Sequence, residues 1–127
     1  MTATLFILYV SDQRRSAEFY RRILNLEPTL DVPGMTEFRL SDHSQLGLMP
    51  NSGIAKIICP SMPDPALADG VPRCELYWRV DRPDEMIRRA LEAGAGLISP
   101  IQARNWGESV AYLSDPDGHI LAIAQKS

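Results

Sequence analysis

Few side chains in this sequence are of a type and spacing that could do chemistry, and Glu75 and Arg79 are the most informative. They fall in the run Cys74–Val80, CELYWRV, which has strand character. Alternation along an extended chain puts Glu75, Tyr77 and Arg79 on one face and Leu76, Trp78 and Val80 on the other. A carboxylate and a guanidinium on one face of a central strand must each be paired, hydrated or bound to something. Four residues apart they are separated by about 13 Å, too far for a direct bond, so each needs its own partner. An ion pair with another strand is the first expectation. A ligand contact is the second, with Glu75 accepting a hydrogen bond or a cation and Arg79 holding an anion or carbonyl. His43 and His119 lie in the turn segments SDHS and DPDGH, where turn chemistry accounts for them without a ligand or base role. Cys59 and Cys74 form no disulfide framework and read as reduced thiols.

The elements that must hold these groups follow from periodicity. Leu5–Val10 is continuously apolar, as in a strand buried on both faces, and Ser11-Asp12 supply a helix N-cap. From Gln13 to Leu24 the residues Ala17, Tyr20, Ile23 and Leu24 fall at helical spacing, with Arg14, Arg15, Glu18, Arg21 and Arg22 on a solvated face. Strands are expected at Glu27–Leu30, Met35–Leu40 and Gln45–Met49, punctuated by Pro33-Gly34 and Ser41-Asp42-His43. Pro60, Pro63, Pro65 and Pro72 mark residues 51–72 as a linker without regular helix, in which only Ile54–Ile58 adds a short extended piece. The pattern then restarts. Cys74–Val80 is a strand, Asp81 and Pro83 open a helix with Met86, Ile87, Ala90 and Leu91 on its apolar face, and Gly94–Gly96 end it. Strands are expected again at Leu97–Ile101, Ser109–Leu113 and Ile120–Ala124, with Asp115-Pro116-Asp117-Gly118 turning between the last two.

The two halves keep register. Val10-Ser11 matches Val80-Asp81, Ala17 matches Ile87, and Leu46-Gly47-Leu48 matches Leu121-Ala122-Ile123. The sequence therefore repeats one β-α-β-β-β unit, as module one at 1–50 and module two at 73–127. With 127 residues, 45% of them hydrophobic and 23% charged, the chain suits a single α+β domain. Its net charge of -3 implies no basic face, so nucleic acid is not an expected partner. The apolar N-terminal run is too short to span a bilayer and lacks a basic leader, so no membrane partner is expected and the chain reads as cytoplasmic.

Several motifs in order carry a family resemblance. They are Val10-Ser11-Asp12 followed by Ser16–Tyr20 (SAEFY), Leu24-Asn25-Leu26, Trp106-Gly107-Glu108, and Asp115-Pro116-Asp117-Gly118-His119. Together they resemble the vicinal-oxygen-chelate superfamily, which includes glyoxalase I, extradiol dioxygenases, fosfomycin-resistance enzymes and bleomycin- and mitomycin-binding proteins. The resemblance implies a curved eight-stranded mixed sheet forming a cup, helices outside, and commonly a homodimer. On the first strand Leu5, Ile7 and Tyr9 would face the cup, and Phe6, Leu8 and Val10 the helix.

Metal-dependent relatives carry ligands at positions that correspond here to Leu5, Gly47, Glu75 and Ala122. Only Glu75 has an atom to give, and one carboxylate does not hold a divalent ion with useful affinity. A slip of one residue offers Phe6, Leu46 or Leu48, and Leu121 or Ile123, which are no better. The resemblance thus points to a member with no metal and no other cofactor. Its cup would be lined by Tyr9, Met49, Tyr77, Trp106 and Tyr112, together with Leu5, Ile7 and Ile120, and oriented by Glu75 and Arg79. Simple core filling is the competing reading of those residues, and Trp106-Gly107 could serve only to shape a loop. The expected function is metal-independent capture of a small organic molecule, antibiotic-like or an aromatic metabolite, as in antibiotic-resistance binding proteins. The alternative is a glyoxalase-type isomerase or lyase with a divergent or absent metal site, in which Glu75 acts as base.

Overall fold

The computed structural model describes residues 2–126. Their order is β1 (Thr4–Val10), α1 (Gln13–Leu24), β2 (Leu30–Val32), β3 (Met35–Arg39), β4 (Ser44–Pro50), α2 (Asn51–Ile58), a 3-10 turn at Pro65–Leu67, β5 (Glu75–Arg79), α3 (Pro83–Glu92), β6 (Gly96–Ala103), β7 (Glu108–Ser114) and β8 (Ile120–Lys126). The strands make two four-stranded mixed sheets of matching topology, β1-β4-β3-β2 and β5-β8-β7-β6. In each, the strand before the helix runs parallel to the last strand, and the hairpin-connected pairs are antiparallel. The chain divides into two compact units, Met1–Arg21 with Asn25–Asp69, and Arg22–Leu24 with Gly70–Ser127. The α+β class and the repeated β-α-β-β-β plan are as the sequence implies.

α1 begins and ends where its capping residues dictate. Asp12 accepts from the Arg15 N–H, and Asn25 closes the helix in the left-handed region at φ 54°. Within the first unit Leu8, Val10, Phe38, Leu46 and Leu48 are buried on one sheet face, and Ser16, Phe19 and Tyr20 of α1 are buried with them. Gln13 fixes how the helix lies over that face. Its amide donates to the Val32 carbonyl at 2.8 Å and to Thr36 Oγ1 at 2.9 Å, and its own oxygen accepts from Gly34 N at 2.9 Å. One side chain thus ties α1 to both sides of the β2–β3 turn. Gln13→Ala is expected to cost about 1–2 kcal/mol, since the buried Thr36 hydroxyl loses a donor and Gly34 an acceptor. Chemical denaturation checks this, and a midpoint unchanged from the parent would refute it.

Residues 51–58 depart from the sequence expectation. They form the helix α2, where an extended piece at Ile54–Ile58 and a helix-free linker were expected. The prolines bracket this stretch without entering it. Pro50 stands at the N-cap and Pro60 beyond the C-cap, so the i→i−4 ladder between them is intact. Ile54 is buried, and the helix packs against β1 and β4. β2 also falls later than expected, at Leu30–Val32 instead of Glu27–Leu30. Pro28 has no N–H to give a ladder; Thr29 N–H makes the first bond, to the Glu37 carbonyl, and the register runs from Leu30 opposite Glu37. α3 starts at Pro83 with Arg82 as N-cap and no side-chain cap bond, so Asp81 does not cap it. Phe6, expected on the helix side, is 58% exposed on the edge strand β1, whereas Leu8 and Val10 on the same face are buried.

In the second unit α3 packs on β8. Met86 and Ala90 are buried, as are Ala111, Leu113, Leu121 and Ile123 on one face of the β7–β8 pair. The other face carries a smaller cluster of Val110, Ala122 and Ala124, with Tyr77 and Tyr112 packed against it. That second face holds the candidate site.

Candidate functional site

The β5–β8–β7 register lays out the site. Tyr77 stands beside Ala122 and Arg79 beside Ala124 on β8, and Ala124 in turn pairs with Val110 and Lys126 with Glu108 on β7. Ala122 and Ala124 have only methyl side chains. Tyr77 and Arg79 can therefore lie across β8 and reach Glu108, one strand further away. Arg79 Nε donates to Glu108 Oε2 at 2.7 Å, and the Tyr77 hydroxyl donates to Glu108 Oε1. The guanidinium carbon sits 5.2 Å from the centre of the Tyr77 ring, a cation–π arrangement. The indole N–H of Trp106 donates to the Tyr77 oxygen at 2.9 Å. Trp106 reaches that point from the turn before β7, where Gly107 takes φ 89°.

The result is one chain of donors, Trp106 to Tyr77 to Glu108, with Arg79 closing it from the other side. The Glu108 side chain is 9% exposed and that of Arg79 is 71% exposed. The Arg79 and then the Tyr77 hydrogen bond hold the Glu108 carboxyl below the usual carboxylate range, against the opposing effect of its burial. Burial first, and then the hydrogen bond to Glu108, push the Tyr77 phenol above its ordinary value. At neutral pH the pair is thus a carboxylate and an intact phenol. Arg79, Trp106, Glu108 and Lys126, with Val80, Asp81, Gly107 and Gln125, line an open hollow of about 930 Å³.

The structure joins three of the residues singled out in the sequence, Tyr77, Arg79 and Trp106. Arg79 finds the cross-strand ion pair that was its first expected partner. Glu75 does not join them, being exposed at the far end of β5. Tyr112 is half-buried under a different cation, with the Arg104 guanidinium 5.1 Å from its ring centre. In the first unit Tyr9 and Met49 are register partners on β1 and β4, and Tyr9 is 40% exposed. Glu108 is the residue that sequence reasoning passed over. Its parity with Val110 and Tyr112 was the available signal, because a charge at that position on an inner strand points to the same face as Arg79.

The four positions matched to metal ligands do not fit a divalent ion. A Cβ at Gly47 would meet Ile7 Cγ1 at 3.1 Å, Leu5 Cδ1 at 3.3 Å and Met35 Sδ at 3.4 Å, so that position is closed by apolar side chains. Ala122 is fully buried. Among the described residues no group of three or more His, Cys, Asp or Glu side chains is placed to hold a metal. His119 acts locally: its Nδ1 lies 2.7 Å from Asp115 Oδ2, while Asp115 Oδ1 accepts from the N–H groups of Asp117 and His119. His43 is exposed in its turn. Cys59 and Cys74 are free thiols.

A second hollow, about 970 Å³, runs along α1 beside residues 27–33. Arg21 there bonds Glu18 at 2.8 Å and approaches Glu27 at 3.5 Å. It is the solvated, internally paired outer side of the helix. Among the described residues no helix is long and apolar enough to cross a membrane.

With this fold and geometry, the chain belongs to the glyoxalase-like domain family, whose profile matches residues 3–126. Comparison with curated protein sequences gives no match. Among solved structures it is similar to a glyoxalase-related enzyme from Fulvimarina pelagi, with TM-score 0.81 and 23% identity over 98% of this chain and 87% of that one. It is also similar to a glyoxalase/bleomycin resistance protein/dioxygenase family enzyme from Burkholderia phytofirmans PsJN, with TM-score 0.82 and 16% identity over 97% of each chain. A glyoxalase/bleomycin resistance protein/dioxygenase from Nocardioides gives TM-score 0.78 and 21% identity over 99% of this chain and 83% of that one. At these identities the likeness is one of fold.

Proposed function

We propose that this chain binds a small organic molecule, antibiotic-like or an aromatic metabolite, without a metal, on the exposed sheet face around Trp106, Tyr77 and Arg79. The observation that carries this reading is the hydrogen-bonded chain that fixes an exposed indole and an exposed guanidinium over a buried carboxylate. Orienting such groups costs side-chain entropy, and a preorganised aromatic and polar pair is what a small ligand rewards. Both Glu108 oxygens are engaged and its acidity is strengthened, which suits binding better than proton abstraction. Glu75 and Tyr112, in the same unit, remain secondary candidates for contact with this ligand, and Tyr9 and Met49 are candidates for ligand contact on the first unit alone. A homodimer is part of this reading, and light scattering on the purified chain checks it.

The test is a thermal-shift screen across antibiotics, aromatic metabolites and thiol conjugates, on protein purified without chelator and assayed for metal. A compound that stabilises the parent but not Trp106→Ala is the expected result. Stoichiometric zinc, nickel or manganese in the purified protein would overturn metal independence. A screen in which every stabilising compound acts equally on both proteins would overturn the site.

A further inference from the structure

The hollow beside Arg79 also carries information about charge. Arg79 commits only Nε to Glu108, and among the described residues its two Nη amines meet no protein acceptor. Lys126 lies opposite Glu108 in the strand register and lines the same hollow. Glu108 itself offers a ligand little, since Arg79 and Tyr77 occupy its oxygens and its side chain is nearly buried. Asp81, at the rim, is the other acidic residue there. The charged donors lining the hollow are Arg79 and Lys126, while the neutral Gln125 amide donates to the Asp81 carbonyl. Trp106 has spent its N–H on Tyr77, so its 52% exposed surface offers ring faces and edges instead of a hydrogen bond.

We infer that the ligand is an aromatic carboxylate, its flat ring against Trp106 and its carboxylate on the free Nη edge of Arg79, with Lys126 as a second cation. This rests on the binding reading above and names the ligand class for that site. A guanidinium pinned through Nε keeps its fork in one plane, and two coplanar N–H donors match the two oxygens of a carboxylate. A neutral carbonyl could take one of these bonds, but only a carboxylate brings two acceptor oxygens to the fork and an opposite charge to the two cations. The flat ring and the flat anion in one molecule fit an indole and a guanidinium that are held through the same tyrosine.

The experiment uses a matched pair, 2-naphthoate and 2-naphthamide, titrated against the full chain by calorimetry and by Trp fluorescence. The parent should bind the carboxylate at least about tenfold more tightly than the amide, a difference of one charge-assisted contact. Arg79→Gln should erase that preference, and Arg79→Lys, which keeps a cation over Glu108, should retain a reduced one. Equal binding of both probes by the parent overturns the inference and leaves the small-molecule site standing. Binding of neither also overturns it, and the site then rests on the broader screen. A preference that survives Arg79→Gln in folded protein overturns the role given to Arg79.

Discussion

Asp115→Ala is expected to lower stability by about 3 kcal/mol, which for a chain of this size is a fall of roughly 10 °C in Tm. The Asp115 side chain is fully buried in the β7–β8 turn, where it accepts from the N–H groups of Asp117 and His119 and bonds the His119 ring. Removing it takes the acceptor from both N–H groups and the partner from the ring at once. Asp115→Asn keeps an acceptor for the backbone and should lose less. The charge component can be isolated through His119. Burial lowers the pKa of this imidazole, but the hydrogen bond and charge of Asp115, with a contribution from Asp117, outweigh it and leave the pKa above its ordinary value. A histidine raised on folding stabilises when protonated. The contribution is therefore complete below the unfolded value of about 6.5 and disappears as pH rises through the higher folded value. Melts of the parent and His119→Gln between pH 5 and 9 should diverge on the acid side and approach each other on the alkaline side. A gap that does not change with pH would refute the assignment.

Ala124→Leu is expected to combine a stability loss with a loss of order at the site. Ala124 is fully buried beneath the path that Arg79 takes across β8. Added methylenes in such a place cost about 1–3 kcal/mol, because neighbours must leave their rotamers or the strands must part. Arg79 is the exposed neighbour and the one able to move, so the larger residue should lift it away from Glu108. Binding of 2-naphthoate should fall about tenfold or more, while 2-naphthamide, which relies on Trp106, should change less. Ala124→Gly removes volume without blocking the path and serves as the control. Unchanged carboxylate binding in Ala124→Leu would show that the crossing over β8 does not set the position of Arg79.

The strength of each signal in the sequence decided what could be read from it. α1 was legible because Ser11-Asp12 and the apolar stripe each speak locally, whereas the capping role of Asn25 emerges only in the structure. The repeated module was legible because both halves alternate in the same register. α2 was obscured by a proline count taken over residues 51–72 as a whole, although residues 51–58 contain none. At the site, parity correctly placed Tyr77 and Arg79 together, but no local rule says that a side chain will cross one strand to bond the next. That depends on the methyl groups at 122 and 124; in sequence Ala122 reads as a missing metal ligand that leaves space, and Ala124 carries no signal of its own. Glu108 was hidden for the same reason, since its partners lie 29 and 31 residues away.

A carboxylate at position 47 would carry a packing cost. The first carbon of any new side chain presses on Ile7, Leu5 and Met35 before its oxygens can reach anything. Those neighbours would have to give by a few tenths of an ångström, and with Ile7 37% exposed and Leu5 and Met35 half-buried the cost is one of crowding. Gly47→Glu alone should therefore yield a less stable protein with no gain in bound metal. The crowding thus weighs against a carboxylate at 47, where a bare glycine meets no such contact.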